Sequence, residues 1–180
     1  GGINVSKNRN KYAGFFEIQP KPIEKIDIKI AGRFEEFEND SSFDPKISFK
    51  YIASENLTLR ASRSSSFSMP SMAQMFSSDI NLGSVRDFNG NSPFVRQAQI
   101  GNPNLKPATS KNINIGLIFE NQNQRLSIDY WNIDYKNRIE AQSAQVILNT
   151  NPNGPSITRN SSGDLIGVST TYFNEESTEV

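Results

Sequence analysis

The sequence predicts an all-β fold, built as an antiparallel sheet of about six strands. Two observations lead to this prediction. Apolar and polar side chains alternate along six segments, and a period of two places one set of side chains on each face of a strand. Short turns join the members of each pair of segments, whereas longer connections lie between the pairs. Short turns therefore gather at one edge of the predicted sheet and long loops at the other.

The first two strands are predicted at residues 12–19 and 23–34. Pro20-Lys21-Pro22 lies between them, and proline has no N–H for a sheet and fixes φ, so this segment is a tight connection. The second strand carries Ile26, Ile28, Ile30 and Phe34 on one face and Asp27, Lys29, Ala31 and Arg33 on the other. Its two faces therefore differ sharply in polarity.

The next two strands are predicted at residues 47–51 and 57–62, on either side of the short turn 54–56. The last two are predicted at residues 111–119 and 125–138, across the polar turn 120–124. Apolar alternation in the sixth strand slips between Tyr130 and Ile133, which predicts a bulge or a local re-aiming of side chains.

Residues 64–107 and 140–180 are predicted as long loops, because no periodicity persists through them. Within them we expect a helical turn at 71–76 and short strands at 145–148 and 165–171. Loops of this length in a folded domain are usually functional or disordered.

The sorted loop lengths are typical of a transmembrane β-barrel, which has short periplasmic turns and longer extracellular loops. We therefore predict an antiparallel transmembrane β-barrel segment, an open, curved meander that occupies residues 1–180. The two long loops are then extracellular. The same alternation would also suit a soluble β-sandwich, but a sandwich gives no reason for short and long loops to segregate.

The composition excludes several functions. Nineteen basic and nineteen acidic residues balance, so no basic excess indicates nucleic acid. The sequence has no Cys and no His, which removes the usual zinc ligands, thiol nucleophiles and imidazole bases. We predict that the protein is not an enzyme and has no catalytic residue, metal site or cofactor. It begins Gly1-Gly2 without an initiator Met, and we expect it to be a piece of a longer chain.

Six residues are candidates for substrate contact. A lumen-side charge such as Arg60 could reach a solute, although cross-strand ion pairs are the commoner use of such residues. Phe67, Met69 and Met72 could line a vestibule, because Met adapts to irregular surfaces, or could form a small apolar core at the base of the loop. The complete set is Arg60, Arg63, Phe67, Met69, Met72 and Arg86.

Three stretches resemble the TonB-dependent outer-membrane receptors. They are Asn56–Ser62 (NLTLRAS) followed by Ser66–Phe76, then Gly101–Ser110 (GNPNLKPATS), and Leu126–Ile139 (LSIDYWNIDYKNRI). The sequence departs from the family pattern where Ser68 and Met69 replace Arg-Ala before Pro70, and where Ala108 replaces Glu.

This resemblance implies part of a plugged barrel of about 22 strands in the outer membrane of a Gram-negative bacterium. Its partners would be the lipid bilayer, a scarce nutrient, and the TonB complex through a plug domain that this sequence does not include. Ferric siderophores, cobalamin, haem and oligosaccharides are the nutrients that the resemblance implies. The alternative is a secreted β-sandwich that binds carbohydrate or protein through its long loop.

Overall fold

The computed structural model describes residues 8–37 and 40–179. These residues form two units. The sheet unit comprises residues 8–68, 108–136 and 176–179, apart from 38 and 39, and the loop unit comprises residues 69–107 and 137–175. The described residues form these strands and helices: β1 (Lys11–Ile18), β2 (Ile26–Phe37), β3 (Ser41–Ser54), β4 (Leu57–Ser68), α1 (Met72–Phe76), β5 (Ser78–Ser84), β6 (Phe94–Ile100), β7 (Ala108–Glu120), β8 (Arg125–Ala141), α2 (Ala144–Thr150), β9 (Ile157–Arg159) and β10 (Leu165–Glu179).

The sheet unit confirms the six predicted strands. Their order is β1-β2-β3-β4-β7-β8, and every neighbouring pair is antiparallel. A meander of this kind needs only short turns between consecutive strands. The one long excursion, between β4 and β7, passes through the loop unit.

For the sixth strand we predicted a bulge or a local re-aiming of side chains, and the pairing with β7 contradicts the bulge. The register of β7 against β8 is continuous from Glu120↔Arg125 to Thr109↔Lys136. Instead, the polarity of the two faces changes along a regular strand, since Asn132 follows Tyr130 on the otherwise apolar face. At 17 residues, β8 is longer than the 9–11 residues that cross a bilayer, so its two ends meet different surroundings.

Among the described residues of the sheet unit, no second protein layer covers its apolar face. Ile30 is 40% exposed, Ile115 56% and Ile128 60%. A soluble sandwich would bury these side chains against a facing sheet, and a large exposed apolar surface marks contact with lipid or protein. The described part of the sheet unit therefore lacks the core that the sandwich alternative requires.

The segments predicted as long irregular loops contain regular structure. Strand β4 continues to Ser68, and residues 69–107 form α1, β5 and β6. The helical turn at 71–76 and the strand at 165–171 are confirmed, the latter as part of β10, whereas residues 145–148 belong to α2 rather than a strand. Ala144 and Leu148 are buried four residues apart, the spacing of one helix face.

The loop unit holds the buried apolar core. Its members come from β6, α2, β10 and the segment after β5: Val85, Val95, Ala144, Leu148, Leu165 and Val168. Strand β6 pairs antiparallel with β5 but parallel with β10, a departure from the wholly antiparallel sheet that we predicted. Within the described residues, neither helix is long and apolar enough to cross a membrane.

Candidate functional site

The polar face of the sheet unit is held by side-chain pairs between neighbouring segments. Lys29 Nζ lies 2.9 Å from Glu17 Oε1, and Gln19 Nε2 donates to Asp27 Oδ1 at 3.0 Å. A pocket of about 360 Å³ opens beside these groups and is also lined by Arg60 and Asn114. The face is therefore wet and charged, with opposite charges placed next to each other.

Arg60 and Asp129 form an ion pair on this face across 69 positions of the sequence. The guanidinium Nη2 donates to Asp129 Oδ2 at 2.6 Å, and Nε donates to Oδ1 at 3.0 Å. Ser127 Oγ donates to the same carboxylate at 3.1 Å. Arg60 on β4 and Asp129 on β8 both lie opposite Gly116 of β7, which stands between them. A Cβ at Gly116 would lie 2.2 Å from Asp129 Oδ1 and 2.6 Å from Arg60 Nε, so only glycine lets the pair close over β7.

We predict that Gly116→Ala separates Arg60 from Asp129 and destabilises the barrel, as measured by thermal unfolding of the intact receptor in detergent. Most of this loss should disappear in an Asp129→Ala background, because the contact that the methyl group breaks is already absent. Gly14→Ala is the control, since within the described residues a Cβ there has no neighbour inside 4 Å. Equal effects of the two glycine substitutions would contradict the prediction.

In the loop unit, α1 is capped and clamped by the segment that begins at Gly101. Ser71 Oγ accepts from the Gln74 amide at 3.1 Å, and Gln74 Oε1 accepts from the Ser71 amide at 2.9 Å, which is a capping box. The Gly101 amide donates to the Ser77 carbonyl at 2.8 Å, and the Asn102 amide donates to the Gln74 carbonyl at 2.9 Å. Two of the stretches that carry the family resemblance are therefore parts of one contact.

The same segment is tied to β10. Asn102 Nδ2 donates to the Tyr172 carbonyl at 2.9 Å. The Lys106 amide donates to Asn174 Oδ1 at 2.8 Å, and Asn174 Nδ2 donates to the carbonyls of Lys106 and Asn137. Asn137 has φ of 54°, a left-handed conformation that Asn tolerates better than most residues. Side-chain amides thus replace sheet hydrogen bonds where the backbone is irregular.

Asp87 and Arg159 form an ion pair in the loop unit, in which the Asp87 side chain is buried. Arg159 Nη1 donates to Asp87 Oδ2 at 2.8 Å and Nη2 to Oδ1 at 2.9 Å, and the guanidinium lies 4.8 Å from the centre of the Phe88 ring. The Asp87 side chain is only 2% exposed. Hydrogen bonds from Arg159 hold the pKa of Asp87 below its ordinary value, although burial acts to raise it. The same bonds raise the pKa of Arg159.

We predict that acid loosens the loop unit through Asp87. Because the pKa of Asp87 is lower in the folded state, the stabilisation is present above the unfolded-state pKa and is lost as the pH falls through the lower folded value. Hydrogen exchange, corrected for intrinsic rates, should show steady protection of β6 and β10 from pH 7 to about pH 5 and a fall below about pH 4.

Asp87→Asn should flatten this acid dependence, whereas Asp79→Asn, at an exposed position in β5, should leave it unchanged. An unaltered acid profile in the Asp87 variant would rule out this ion pair as its source.

The charged side chains do not suggest a metal centre. Within the described residues, no group of three or more His, Cys, Asp or Glu side chains lies close enough to hold a metal ion. The carboxylates described above form hydrogen bonds or ion pairs with Arg, Lys, Gln or Ser side chains instead.

Nearly the whole chain matches one family model. Residues 2–178 match the family model described as TonB dependent receptor-like, beta-barrel. The chain belongs to the TonB-dependent receptor family. The predicted resemblance and the all-β barrel fold are therefore confirmed, and since members of this family are receptors and transporters, the prediction that the protein is not an enzyme is confirmed as well.

Solved structures of siderophore receptors share this fold. The siderophore receptor PirA from Pseudomonas aeruginosa aligns with a TM-score of 0.71 at 16% identity, over 95% of this chain and 29% of that one. PirA from Acinetobacter baumannii aligns with a TM-score of 0.65 at 19% identity, over 95% of this chain and 24% of that one. A double mutant of the ferric enterobactin receptor PfeA from Pseudomonas aeruginosa aligns with a TM-score of 0.67 at 17% identity, over 96% of this chain and 23% of that one.

The chain thus spans about a quarter of the length of the receptors whose structures it matches. A comparison with curated protein sequences gives no match. Proteins of the TonB-dependent receptor family reside in the outer membrane of Gram-negative bacteria.

Three predicted contact residues lie on β4 in the sheet unit. Arg60 is on the polar face, where its guanidinium is occupied by Asp129. Arg63 lies opposite Ile47 and Ile113 on the apolar face, so these two arginines point away from each other. The ring centre of Phe67 lies 5.8 Å from that of Phe37. This contact favours the alternative in which Phe67 belongs to a small apolar core at the base of the loop.

The other three lie in the loop unit. Met69 precedes the buried Pro70, and Met72 begins α1. Arg86 is exposed and lines a pocket of about 470 Å³ with Phe88 and Asn149, and its backbone is held by both ends of the Gln145 amide. A role in substrate contact stays a prediction for all six residues.

The sequence pattern missed the residues that shape the loop unit. Asp87 and Arg159 stand 72 positions apart, and no short motif joins them. Gly101 and Asn102 open a stretch that we recognised by resemblance, and the turn-forming tendency of Gly, Asn and Pro did not reveal that they hold a helix.

Proposed function

We propose that the chain forms part of the barrel of an outer-membrane receptor that takes up a scarce nutrient with energy supplied through TonB. One observation carries this proposal: in a chain of the TonB-dependent receptor family, the sheet unit has an exposed apolar face on one side and, on the other, a polar face with several ion pairs. Hydrocarbon solvates the first face, and a closed barrel satisfies the backbone groups.

Among nutrients, we propose a ferric siderophore. The solved receptors of similar fold include two siderophore receptors and a ferric enterobactin receptor, and a mutant of the latter is in complex with enterobactin. Surface loops on a rigid scaffold commonly carry recognition. The exposed Arg86 and Phe88 lie beside one pocket of the loop unit, where a cation and an aromatic ring suit an anionic aromatic ligand.

The test uses the intact receptor that contains this chain. We expect the product in the outer-membrane fraction, with heat-modifiable migration on gels, and we expect deletion of its gene to abolish uptake of one labelled ferric siderophore under iron limitation. Loss of TonB should abolish the same uptake. Recovery of the product in the cytosol would refute the membrane proposal. A deletion that impairs uptake of cobalamin, haem or an oligosaccharide instead would replace only the substrate.

A further inference from the structure

The apolar face of the sheet unit carries positive charge at one end only. Arg63 on β4, Lys111 on β7 and Lys136 on β8 share this face at the end where β4 and β7 lead into the long excursion. They are exposed, and within the described residues none of them forms an ion pair. Asp134 lies directly opposite Lys111 and offsets part of this charge, but the three cations outnumber it. The other end of this face, beside the short turns, carries Ile26, Leu57 and Phe119.

A crevice of about 550 Å³ lies beside two of these cations. Its lining includes Phe16, Ile30, Phe43, Ile47, Arg63 and Lys111. Its aromatic part is shaped by Gly32, because a Cβ there would lie 2.6 Å from the Phe16 ring and 2.8 Å from the Phe43 ring. Phe16 is 47% exposed and Phe43 56%, so these rings present an open apolar surface that continues toward the two cations.

We propose that this crevice binds a phosphorylated lipid of the surrounding membrane. The inference rests on the proposed membrane location of the barrel. Arg63 and Lys111 occupy diagonal positions on neighbouring strands, about 7–8 Å apart, and their long side chains converge easily on one phosphate. Lys and Arg extend along apolar surface while their charged ends remain in the polar layer. The acyl chain lies along Phe16, Ile30, Phe43 and Ile47, and the headgroup phosphate lies between Arg63 and Lys111.

Charge complementarity selects this occupant over a second protein. An apolar crevice continuous with two cations that have no ion-pair partner among the described residues matches an amphiphile with an anionic head and a hydrocarbon tail. Each basic residue near a membrane surface contributes about fivefold in affinity for anionic lipid. Loss of both charges should therefore reduce the affinity for the lipid by at least about tenfold.

Native mass spectrometry of the intact receptor, extracted from outer membranes in mild detergent, tests this inference. We expect bound phosphorylated lipid on the unaltered receptor. Its occupancy should fall at least about tenfold in the Arg63→Gln/Lys111→Gln variant. The control Lys21→Gln/Lys25→Gln removes the same charge at the short connection between β1 and β2 and should retain the lipid. A delipidated receptor should rebind phosphorylated lipid but neither inorganic phosphate nor an uncharged lipid with the same chains.

Three results would overturn the inference: no phosphorylated lipid on the unaltered receptor, equal retention in both double variants, or equal rebinding of the uncharged lipid. Heat-modifiable migration of each variant establishes that its barrel is folded. A receptor that resides in the outer membrane and transports, yet holds no such lipid, removes only this inference. A receptor absent from the outer membrane removes the proposed function together with it.

Discussion

Leu148→Ala is expected to destabilise the loop unit by about 2–5 kcal/mol. Leu148 is 1% exposed and packs with Val85, Val95 and Val168 in the buried core of that unit. Truncation removes apolar contacts and leaves a cavity that a sheet fixed by β6–β10 pairing cannot fill. Hydrogen exchange on the intact receptor measures the effect, because amides of one cooperative unit report its opening free energy. Protection of β6 and β10 should fall by a factor of about 30 or more.

Val146→Ala is the matched control on the same helix. Val146 is 60% exposed, and its truncation should alter protection by less than about 0.5 kcal/mol. The amides of β2 and β3 in the sheet unit should keep their protection in both variants. If Leu148→Ala and Val146→Ala prove equivalent, the cluster around Leu148 does not act as the core of the loop unit.

Gly101→Ala should detach α1 from the segment that follows β6, at a cost of about 1–3 kcal/mol. A Cβ at Gly101 would lie 2.8 Å from the Met75 carbonyl carbon and oxygen and from the Phe76 nitrogen. These are backbone atoms, which move only if the helix moves. We therefore expect the hydrogen bonds from Gly101 to Ser77 and from Asn102 to Gln74 to break. Hydrogen exchange should show faster exchange at the amides of Gly101, Asn102 and Ser77.

The control is Gly14→Ala, the same chemical change where the added methyl group has no described neighbour within 4 Å. It should leave the exchange of α1 unchanged. Because Gly101 does not adopt a positive φ, Ala fits its backbone, and the effect comes from contact alone. Normal protection of α1 in the Gly101 variant would show that the helix is held by other groups.

The six strands of the sheet unit were predictable because the alternation of apolar and polar residues along each strand reflects the two environments of its faces. A strand between water and an apolar phase must alternate, and the period of two is visible within seven or eight residues. Ile113, Ile115 and Leu117 show this as clearly in the sequence as in the sheet. The resemblance to TonB-dependent receptors depended on equally local stretches, and the family match over residues 2–178 confirmed it.

The loop unit escaped prediction because its elements are short and share one core. Helix α1 has five residues and α2 has seven, which is too few for a helical period to stand out. The run 145–148, in which three apolar residues follow Gln145, looked like a strand, since a short apolar run does not distinguish strand from helix. Burial of Ala144 and Leu148 against β6 and β10 decided the matter in favour of a helix.

In the candidate site, too, the sequence predicted the face on which a residue lies, but not its partner. Arg60 was predicted to lie on the polar side because alternation fixes the face of every residue in a strand. Its partner Asp129 is 69 positions away, and only the placement of β7 between β4 and β8 brings the two together. Arg63 differs from Arg60, since the register places it opposite Ile47 and Ile113 on the apolar face, and its role in substrate contact stays a prediction.

By itself, the sequence determined which residues form the six strands of the sheet unit, which side of each of those strands is apolar, and to which family the chain belongs, because each of these depends on neighbours a few residues apart. Tertiary structure alone decided that Gly116 makes room for an ion pair, that Gly101 and Asn102 hold α1, and that Asp87 meets Arg159. Such contacts join residues that are distant along the chain. Their free energy depends on close approach in space, which no local pattern of residue types records.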